Sequence, residues 1–439
     1  MNFAMNEVLE YVGENDVKFI RLAFSDLFGT MKNISIMPSE LERAFEQGIS
    51  FDASAIQGFN DVTHSDLFLF PIPSTLMLLP WRPQEGRVIR LLCDIRNPDG
   101  SPFIGDGRNY LKKAVDRCSE MGYSCQIGTE CEFYLFKTDE NGFPTQTTHD
   151  KGGYFDIAPV DKGENIRREI CLCLEEIGIQ PETSHHEQGP GQNEIDFKYS
   201  DPMKAADNIL IFKSVVKAIA ARNGLFASFM PKPIATKSGS GLHVNLSLLM
   251  NNRNIFEMTN PVQRKTAEYF IAGILNRIIE ITAFLNPITN SYERLGSFEA
   301  PKYVSWSHQN RSQLIRIPSA TGEFSRMELR SPDPSLNPYI AFALILNAGL
   351  DGIVQQQALP GPLNVNLFTA GRDVLDTIAK LPDTLGEAVE IASKSEFVRG
   401  VLGDSVLEKY CSLKRAEEEE FLAATDRTEF YTQRYFEGI

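Results

Sequence analysis

Between Val17 and Ile36, apolar and polar residues alternate in two runs, V-K-F-I-R-L-A-F-S and M-K-N-I-S-I, parted by a turn at Ser25–Gly29. A period of two on either side of a turn predicts a β-hairpin. A short helix is expected from Pro38 to Gln47, and residues 78–95 hold a second strand pair around W-R-P-Q-E-G. The stretch R-N-P-D-G-S-P-F-I-G-D-G (Arg96–Gly107) is crowded with Gly, Pro and Asp and breaks regular structure. It predicts a boundary near residue 103, between a domain over 1–103 and a larger one over 104–439. Past it the period changes. Tyr110–Met121, Asn165–Ile177, Pro202–Asn223 and Val262–Phe284 read as helices, short strands fall between them, and the chain is mainly helical from Asp373. The expected class is α+β. Glu417–Glu420 reads as a solvated helix face rather than a metal site.

Four strands break the usual pattern in the same way. In G-T-E-C-E-F-Y-L-F (Gly128–Phe136), Glu130, Glu132 and Tyr134 share one face while Cys131, Phe133 and Leu135 share the other. In G-P-G-Q-N-E-I-D-F (Gly189–Phe197), Glu194 and Asp196 alternate with Ile195 and Phe197, and Glu187 precedes the glycine turn. In G-S-G-L-H-V-N-L-S-L (Gly239–Leu248), His243, Asn245 and Ser247 alternate with leucines and a valine. In R-M-E-L-R-S-P-D-P (Arg326–Pro334), Arg326, Glu328 and Arg330 alternate with Met327 and Leu329. Any one of these fits a half-exposed strand of an antiparallel sheet. Together they predict a sheet with one face lining a polar cavity. Converging carboxylates raise one another's pKa unless cations neutralise them, and oxygen ligands with one imidazole suit hard divalent ions such as Mg²⁺ or Mn²⁺. Zinc fits less well, because no cysteine falls on a polar face.

Composition narrows the partners. The 439 residues are 42% hydrophobic and 23% charged, with a net charge of −15. No basic run could track a phosphate backbone, so neither nucleic acid nor an anionic membrane is expected. The seven cysteines lie mostly in apolar runs and read as reduced core thiols; the Cys171-x-Cys173 pair has no second pair to complete a zinc site. The N-terminus has no signal-peptide core, and no apolar run is expected to reach the roughly 18 residues of a membrane span. A cytoplasmic enzyme of small metabolites is the expectation. Arg294, Arg311, Arg316, Arg326 and Arg330 cluster near the carboxylates and could clamp phosphate or carboxylate oxygens bidentately. With no Walker P-loop and no complete G-x-G-x-x-G, phosphoryl transfer held by metals and arginines leads the reaction classes.

These motifs occur in an ordered set with K-G-G-Y-F (Lys151–Phe155), H-H-E-Q-G-P-G-Q-N-E-I-D-F, F-M-P-K-P (Phe229–Pro233) and N-R-S-Q-L-I-R-I-P. The set closely resembles the bacterial type I glutamine synthetases, and F-D-A-S-A-I-Q-G (Phe51–Gly58) with W-R-P-Q-E-G extends the likeness over nearly the whole chain. The resemblance implies a small N-terminal β-grasp domain, then a catalytic domain with a curved antiparallel sheet flanked by helices. It also implies two stacked hexameric rings, with each active site between neighbouring subunits. Glutamine would form from glutamate and ammonia through a γ-glutamyl phosphate made with ATP. By the same resemblance Glu132, Glu187 and Glu194 would hold one metal, and Glu130, His243 and Glu328 a second. Gly239, Arg294, Arg330, Tyr154 and Glu187 would meet glutamate or ammonium, while Asn245, Ser247, Arg316 and Arg326 would meet nucleotide. Arg311 would offset charge on the transferred phosphoryl group. Asp52 from the adjacent subunit would deprotonate ammonium, and Glu299, on a mobile flap, would cover the intermediate and take the final proton.

Several positions depart from the family's usual pattern. Ala53 and Ala55 replace a glycine and a serine in F-D-G-S-S-I, Phe298 replaces a flap tyrosine, and Ser238 stands for an asparagine. The lost hydroxyl at Ala55 raises an alternative, a γ-glutamyl ligase that uses a larger amine. Gln355–Arg372 lacks the tyrosine used for adenylylation, and Asp61 stands where a feedback-regulated subgroup has arginine. A guanidino phosphotransferase shares the fold, and a non-catalytic relative would have no use for six intact metal ligands.

Overall fold

The computed structural model describes residues 4–82, 85–257 and 260–439, so Pro83 and Gln84 of W-R-P-Q-E-G lie outside the described residues. The chain divides into two units, Met1–Asn109 with Leu172–Ile179, and Tyr110–Cys171 with Gln180–Ile439. The first contains α1 (Met5–Glu14), β1 (Val17–Ser25), β2 (Met31–Ile36), α2 (Leu41–Gln47), β3 (Ile49–Asp52), β4 (Asp66–Pro71), β5 (Met77–Leu78) and β6 (Arg87–Arg96). Its sheet runs β2-β1-β6-β4-β3, with β1 parallel to β6 and the other pairs antiparallel. The predicted hairpin is present, with Ile20 opposite Ile36. Its alternation places Ile20, Leu22 and Phe24 in a core with Leu41, Leu67, Leu69, Ile89 and Leu91. This is a β-grasp unit.

The expected helices are α3 (Gly107–Glu120), α4 (Glu164–Glu176), α5 (Pro202–Arg222) and α6 (Pro261–Leu285). Among the described residues the second unit has ten strands, β7 (Tyr123–Thr138), β8 (Pro144–Thr148), β9 (Pro181–His186), β10 (Gln192–Phe197), β11 (Leu225–Ser228), β12 (Leu242–Met250), β13 (Arg253–Asn254), β14 (Trp306–His308), β15 (Ile315–Ile317) and β16 (Met327–Leu329). They are ordered β14-β15-β16-β12-β7-β10-β9, and only the β14–β15 pair along that path is parallel. The four polar-faced strands are therefore consecutive neighbours. Their other face is apolar: Phe133 and Phe197 both meet Phe212 of α5 edge-on, with ring centroids 5.9 and 4.8 Å apart. That packing fixes which way the carboxylates point, since a one-residue slip would bury them among phenylalanines.

The helix α7 (Ser291–Arg294) is followed by α8 (Pro338–Gln355), which has 18 residues and enough apolar character to cross a membrane by length and composition. The fold uses it as a core helix: 78% of it is buried, and it packs along α6. The approach is close enough that a Cβ on Gly273 would sit 2.2 Å from the Ala348 carbonyl. One sequence expectation needs correction: Glu417–Glu420, read as a solvated face, lie in α12 (Asp404–Ala423), the largest of the closing helices α9 (Arg372–Leu375), α10 (Leu385–Lys394), α11 (Glu396–Leu402), α12 and α13 (Arg427–Tyr431). Glu417 and Glu418 are buried. Glu417 accepts from Lys414 Nζ at 2.9 Å and from Tyr435 Oη at 2.6 Å. Glu419 and Glu420 are solvated, whereas Glu417 sits in a buried ion pair to which the C-terminal turn contributes Tyr435.

Candidate active site

Sheet register brings the polar faces together. Glu130 lies opposite Asp196 on β10 and His243 on β12; Glu132 lies opposite Glu194; Glu328 lies between Asn245 and Arg316. Glu130, Glu132, Glu194, Asp196 and His243 line a cavity of about 430 Å³. Tyr154, Arg294, Glu299, Arg311, Arg316, Arg326 and Arg330 complete its wall. A second cavity of about 170 Å³ shares Glu130, Thr183, Asp196 and Arg326 with the first and adds Asn245, Ser247, Tyr199 and Phe324. Of the four residues expected at nucleotide, Asn245, Ser247 and Arg326 line the second cavity, whereas Arg316 lines the first.

Among the described residues three groups of side chains each offer three ligand atoms within 4.8 Å of one another; two belong to this site, Glu130, His243 and Glu328, and His185, Glu187 and Glu194, and the third is Asp150, Asp161 and His186. The first is the expected set. His243 Nδ1 lies 3.0 Å from Glu130 Oε2 and 3.6 Å from Glu328 Oε1. The second shares Glu187 and Glu194 with the expected set and adds His185. The Glu132 Oε2 atom is engaged elsewhere, accepting from Gln192 Nε2 and the Gly241 amide at 2.9 Å each. The sequence did carry a signal for His185, which stands two residues before Glu187 and so shares its strand face. Gln192 was also missed. Its amide donates to Glu132 and to the Gly239 carbonyl, and its oxygen accepts from Ser238 Oγ and the Gly189 amide. An uncharged side chain leaves no charge pattern to read.

The electrostatics are those of a cation site. Burial pushes the Glu132 carboxyl up to about 7, and Glu187 adds to the shift. Glu194 is raised further by burial and by Asp196, and Asp196 to about 6 by burial and Glu130. Burial also acts against ionised Glu130, but hydrogen bonds from His243 and Asn245 outweigh it and hold that carboxyl at about 2. Oxygens and imidazole nitrogens in two groups, with neighbouring carboxyls forced toward their neutral form, fit divalent cations of the Mg²⁺ or Mn²⁺ type. Because the folded pKa values of Glu132 and Asp196 lie above ordinary ones, stability from their neutral forms is present at acid pH and lost as pH rises through about 6 to 7. Cation binding must strip those protons. Mn²⁺ affinity is therefore expected to climb between about pH 6 and 8 and then level off, with proton release on binding. Isothermal titration in buffers of different ionisation enthalpy measures both, and a pH-independent affinity would contradict this account.

Arg294, Arg316 and Arg330 are each tied by hydrogen bonds. Arg330 is 1% exposed; its Nε donates to Glu328 Oε1 at 3.1 Å and its Nη1 to the Glu299 carbonyl at 3.2 Å. Arg316 Nη1 lies 2.5 Å from the other Glu328 oxygen. Arg294 is buried against the Ser331 and Arg330 carbonyls, and burial pulls its pKa down. Gly239 touches it so closely that a Cβ would fall 2.9 Å from Arg294 Cγ. Arg311 and Tyr154 are exposed at the rim, with Tyr154 stacked on Phe155 at 4.0 Å. Glu299 is tied to Gln188 Nε2 at 3.0 Å. Asp52, in the first unit, is exposed and closes a local turn by accepting from the Ser54 amide and hydroxyl. All seven cysteines are free thiols.

Comparisons with known proteins agree along the whole chain. The family model described as glutamine synthetase, catalytic domain, matches residues 104–433, and that described as glutamine synthetase, beta-Grasp domain, matches 16–98. The glutamine synthetase of Clostridium saccharobutylicum is 48% identical over 424 residues, 95% of this chain and 96% of that protein. That of Methanosarcina mazei is 48% identical over 95% of this chain and 94% of its own length. Among solved structures, GmaS in complex with ADP superposes with a TM-score of 0.88 at 29% identity, covering 99% of each chain. Plasmodium falciparum glutamine synthetase gives 0.86 at 26% identity, again covering 99% of each. With both family models matched in order and identity sustained from end to end, this chain belongs to the glutamine synthetase family.

Proposed function

We propose that this chain is a glutamate–ammonia ligase that makes glutamine with ATP, by the following division of labour. The observation that carries the reading is the meeting of two three-ligand groups and the arginines at one cavity, in a chain 48% identical to a glutamine synthetase. The relatives at 43–48% identity are glutamine synthetases, so the larger-amine alternative raised by Ala55 and Phe298 is not favoured. Glutamate enters the first cavity, where Arg294 takes its carboxylate and Gly239 leaves room for its backbone. ATP lies along Asn245, Ser247 and Arg326, with Arg316 beside its phosphates. Glu130, His243 and Glu328 would hold one divalent cation and Glu132, Glu187 and Glu194 the other, with His185 beside the second. The bound cations supply charge neutralisation for the phosphates.

The γ-carboxylate oxygen of glutamate attacks the γ-phosphorus and ADP leaves. A carboxylate is a poor electrophile and the mixed anhydride a good one. Arg311 and Arg330 offset the charge that develops on the moving phosphoryl group. Asp52 of a neighbouring subunit takes a proton from ammonium, ammonia adds to the activated carbonyl, phosphate departs, and Glu299 accepts the remaining proton. Glu299 also closes the site, which matters because an acyl phosphate hydrolyses in water. The same reading assigns a cytoplasmic enzyme of two stacked hexameric rings, with its domain boundary near residue 103. Glutamine and phosphate should appear together only when glutamate, ATP, ammonium and Mg²⁺ or Mn²⁺ are all supplied. Turnover that ignores ammonium would overturn the assignment.

A further inference from the structure

The five-residue turn Gly296–Ala300 carries Glu299 and is closed on itself by the Gly296 amide donating to the Ala300 carbonyl at 3.1 Å. Its middle residue, Phe298, has a backbone φ of 53° and a side chain that is 46% exposed. A left-handed conformation is unfavourable for an aromatic residue and persists only where the surroundings hold it. Beneath it lies Lys232, 5% exposed, whose ammonium sits 4.4 Å from the Phe298 ring centroid and 3.3 Å from Ser297 Oγ. The same nitrogen donates to the Lys237 carbonyl at 2.5 Å. The Lys232 backbone is pinned in turn by Asn290, through bonds of 2.7 and 3.1 Å in the two directions.

We propose that Lys232 is a positioning residue that fastens the Glu299 turn over the cavity, its ammonium gripping the face of Phe298 and the hydroxyl of Ser297. An ammonium held over an aromatic face is attracted by the ring quadrupole, most strongly where water is excluded. Lys232 touches neither cation group nor any atom assigned to the reaction, and it is absent from the wall of the main cavity. Its contribution is to keep Glu299 seated while the acyl phosphate exists. The proposal rests on the glutamine-forming reading, and its signature is a change in product ratio rather than in rate alone. When the turn is loose, water reaches the mixed anhydride: its oxygen adds to the carbonyl carbon, phosphate leaves, and glutamate is regenerated with ATP consumed and no amide formed.

The test measures phosphate and glutamine together for the full chain and for Lys232→Met, Lys232→Arg and Phe298→Leu. Phe298 is exposed enough that its substitution leaves folding intact. A wild-type ratio near one supports the underlying reading, and wild-type turnover without glutamine defeats that reading alone. Lys232→Met and Phe298→Leu are expected to raise the phosphate-to-glutamine ratio about threefold or more, with Lys232→Arg closer to wild type. If Phe298→Leu and Lys232→Met keep the wild-type ratio while glutamine forms, the latch does not exist. Should Lys232→Met fail to fold, an unchanged ratio in Phe298→Leu overturns the proposal by itself.

Discussion

Glu328→Gln is expected to lower kcat/KM by about 10³-fold or more, and to destabilise the fold by about 3–5 kcal/mol in the absence of metal. The side chain is wholly buried and serves three partners at once: Arg316 on one oxygen, Arg330 and His243 on the other. An amide removes the charge that compensates two guanidiniums and presents an N–H where an acceptor is required. Losing one member of a buried ion pair costs the desolvation of what remains, which sets the stability figure. The activity loss has a separate origin, because one of three ligand atoms in the Glu130, His243, Glu328 group disappears. Glu328→Asp separates the two: the charge stays but the reach shortens, so most stability should return while activity stays low. Urea unfolding of the metal-free protein reads the first effect, and phosphate release reads the second. Activity of Glu328→Gln within tenfold of wild type would mean that the site does not depend on this group.

How far the sequence foretold this arrangement depended on the kind of information each part needed. The polar faces of β7, β10, β12 and β16 were legible because alternation is local: a carboxylate every second residue needs no knowledge of the neighbouring strand. Their adjacency was not legible from alternation alone, since register between strands distant in sequence is set by packing of the apolar face on α5. The assignment of ligands shows the difference. Glu132 has the same spacing as its partners, but that spacing does not reveal that Gln192 and Gly241 donate to one of its oxygens or that His185 stands beside Glu187 and Glu194. The helix α8 could have been found. Asn337-Pro338 opens it as Asn260-Pro261 opens α6 and Asp201-Pro202 opens α5, each with a side-chain oxygen on a first-turn amide and proline at the first position. The burial of Glu417 was not legible because its partner Tyr435 arrives only through the C-terminal turn.

A single methyl group should separate the two cavities' roles. Gly241 has no left-handed φ, so alanine there meets no backbone strain. A Cβ would nevertheless lie 2.6 Å from Arg294 Nη2 and 2.9 Å from His243 Nε2. Residue 241 cannot retreat, because its amide donates to Glu132 Oε2 and its carbonyl accepts from the Glu132 amide at 3.1 Å. Arg294 cannot yield cheaply either, being 2% exposed and bonded to two carbonyls, so the displacement is shared with His243. Gly241→Ala thus moves one group assigned to glutamate and one assigned to metal without deleting either. A shift of about 1 Å in a reacting constellation costs on the order of 10² in kcat/KM, and a disturbed ligand about tenfold in metal affinity. Both are expected here, with a raised KM for glutamate. The KM for ATP should change far less, since Asn245, Ser247 and Arg326 line the second cavity. Gly400→Ala, where a Cβ would meet nothing within 4 Å, is the control and should leave all three constants as they are. If Gly241→Ala shifts ATP and glutamate equally, the methyl acts by loosening the sheet as a whole, and the division of the site into a glutamate cavity and a nucleotide cavity loses its support.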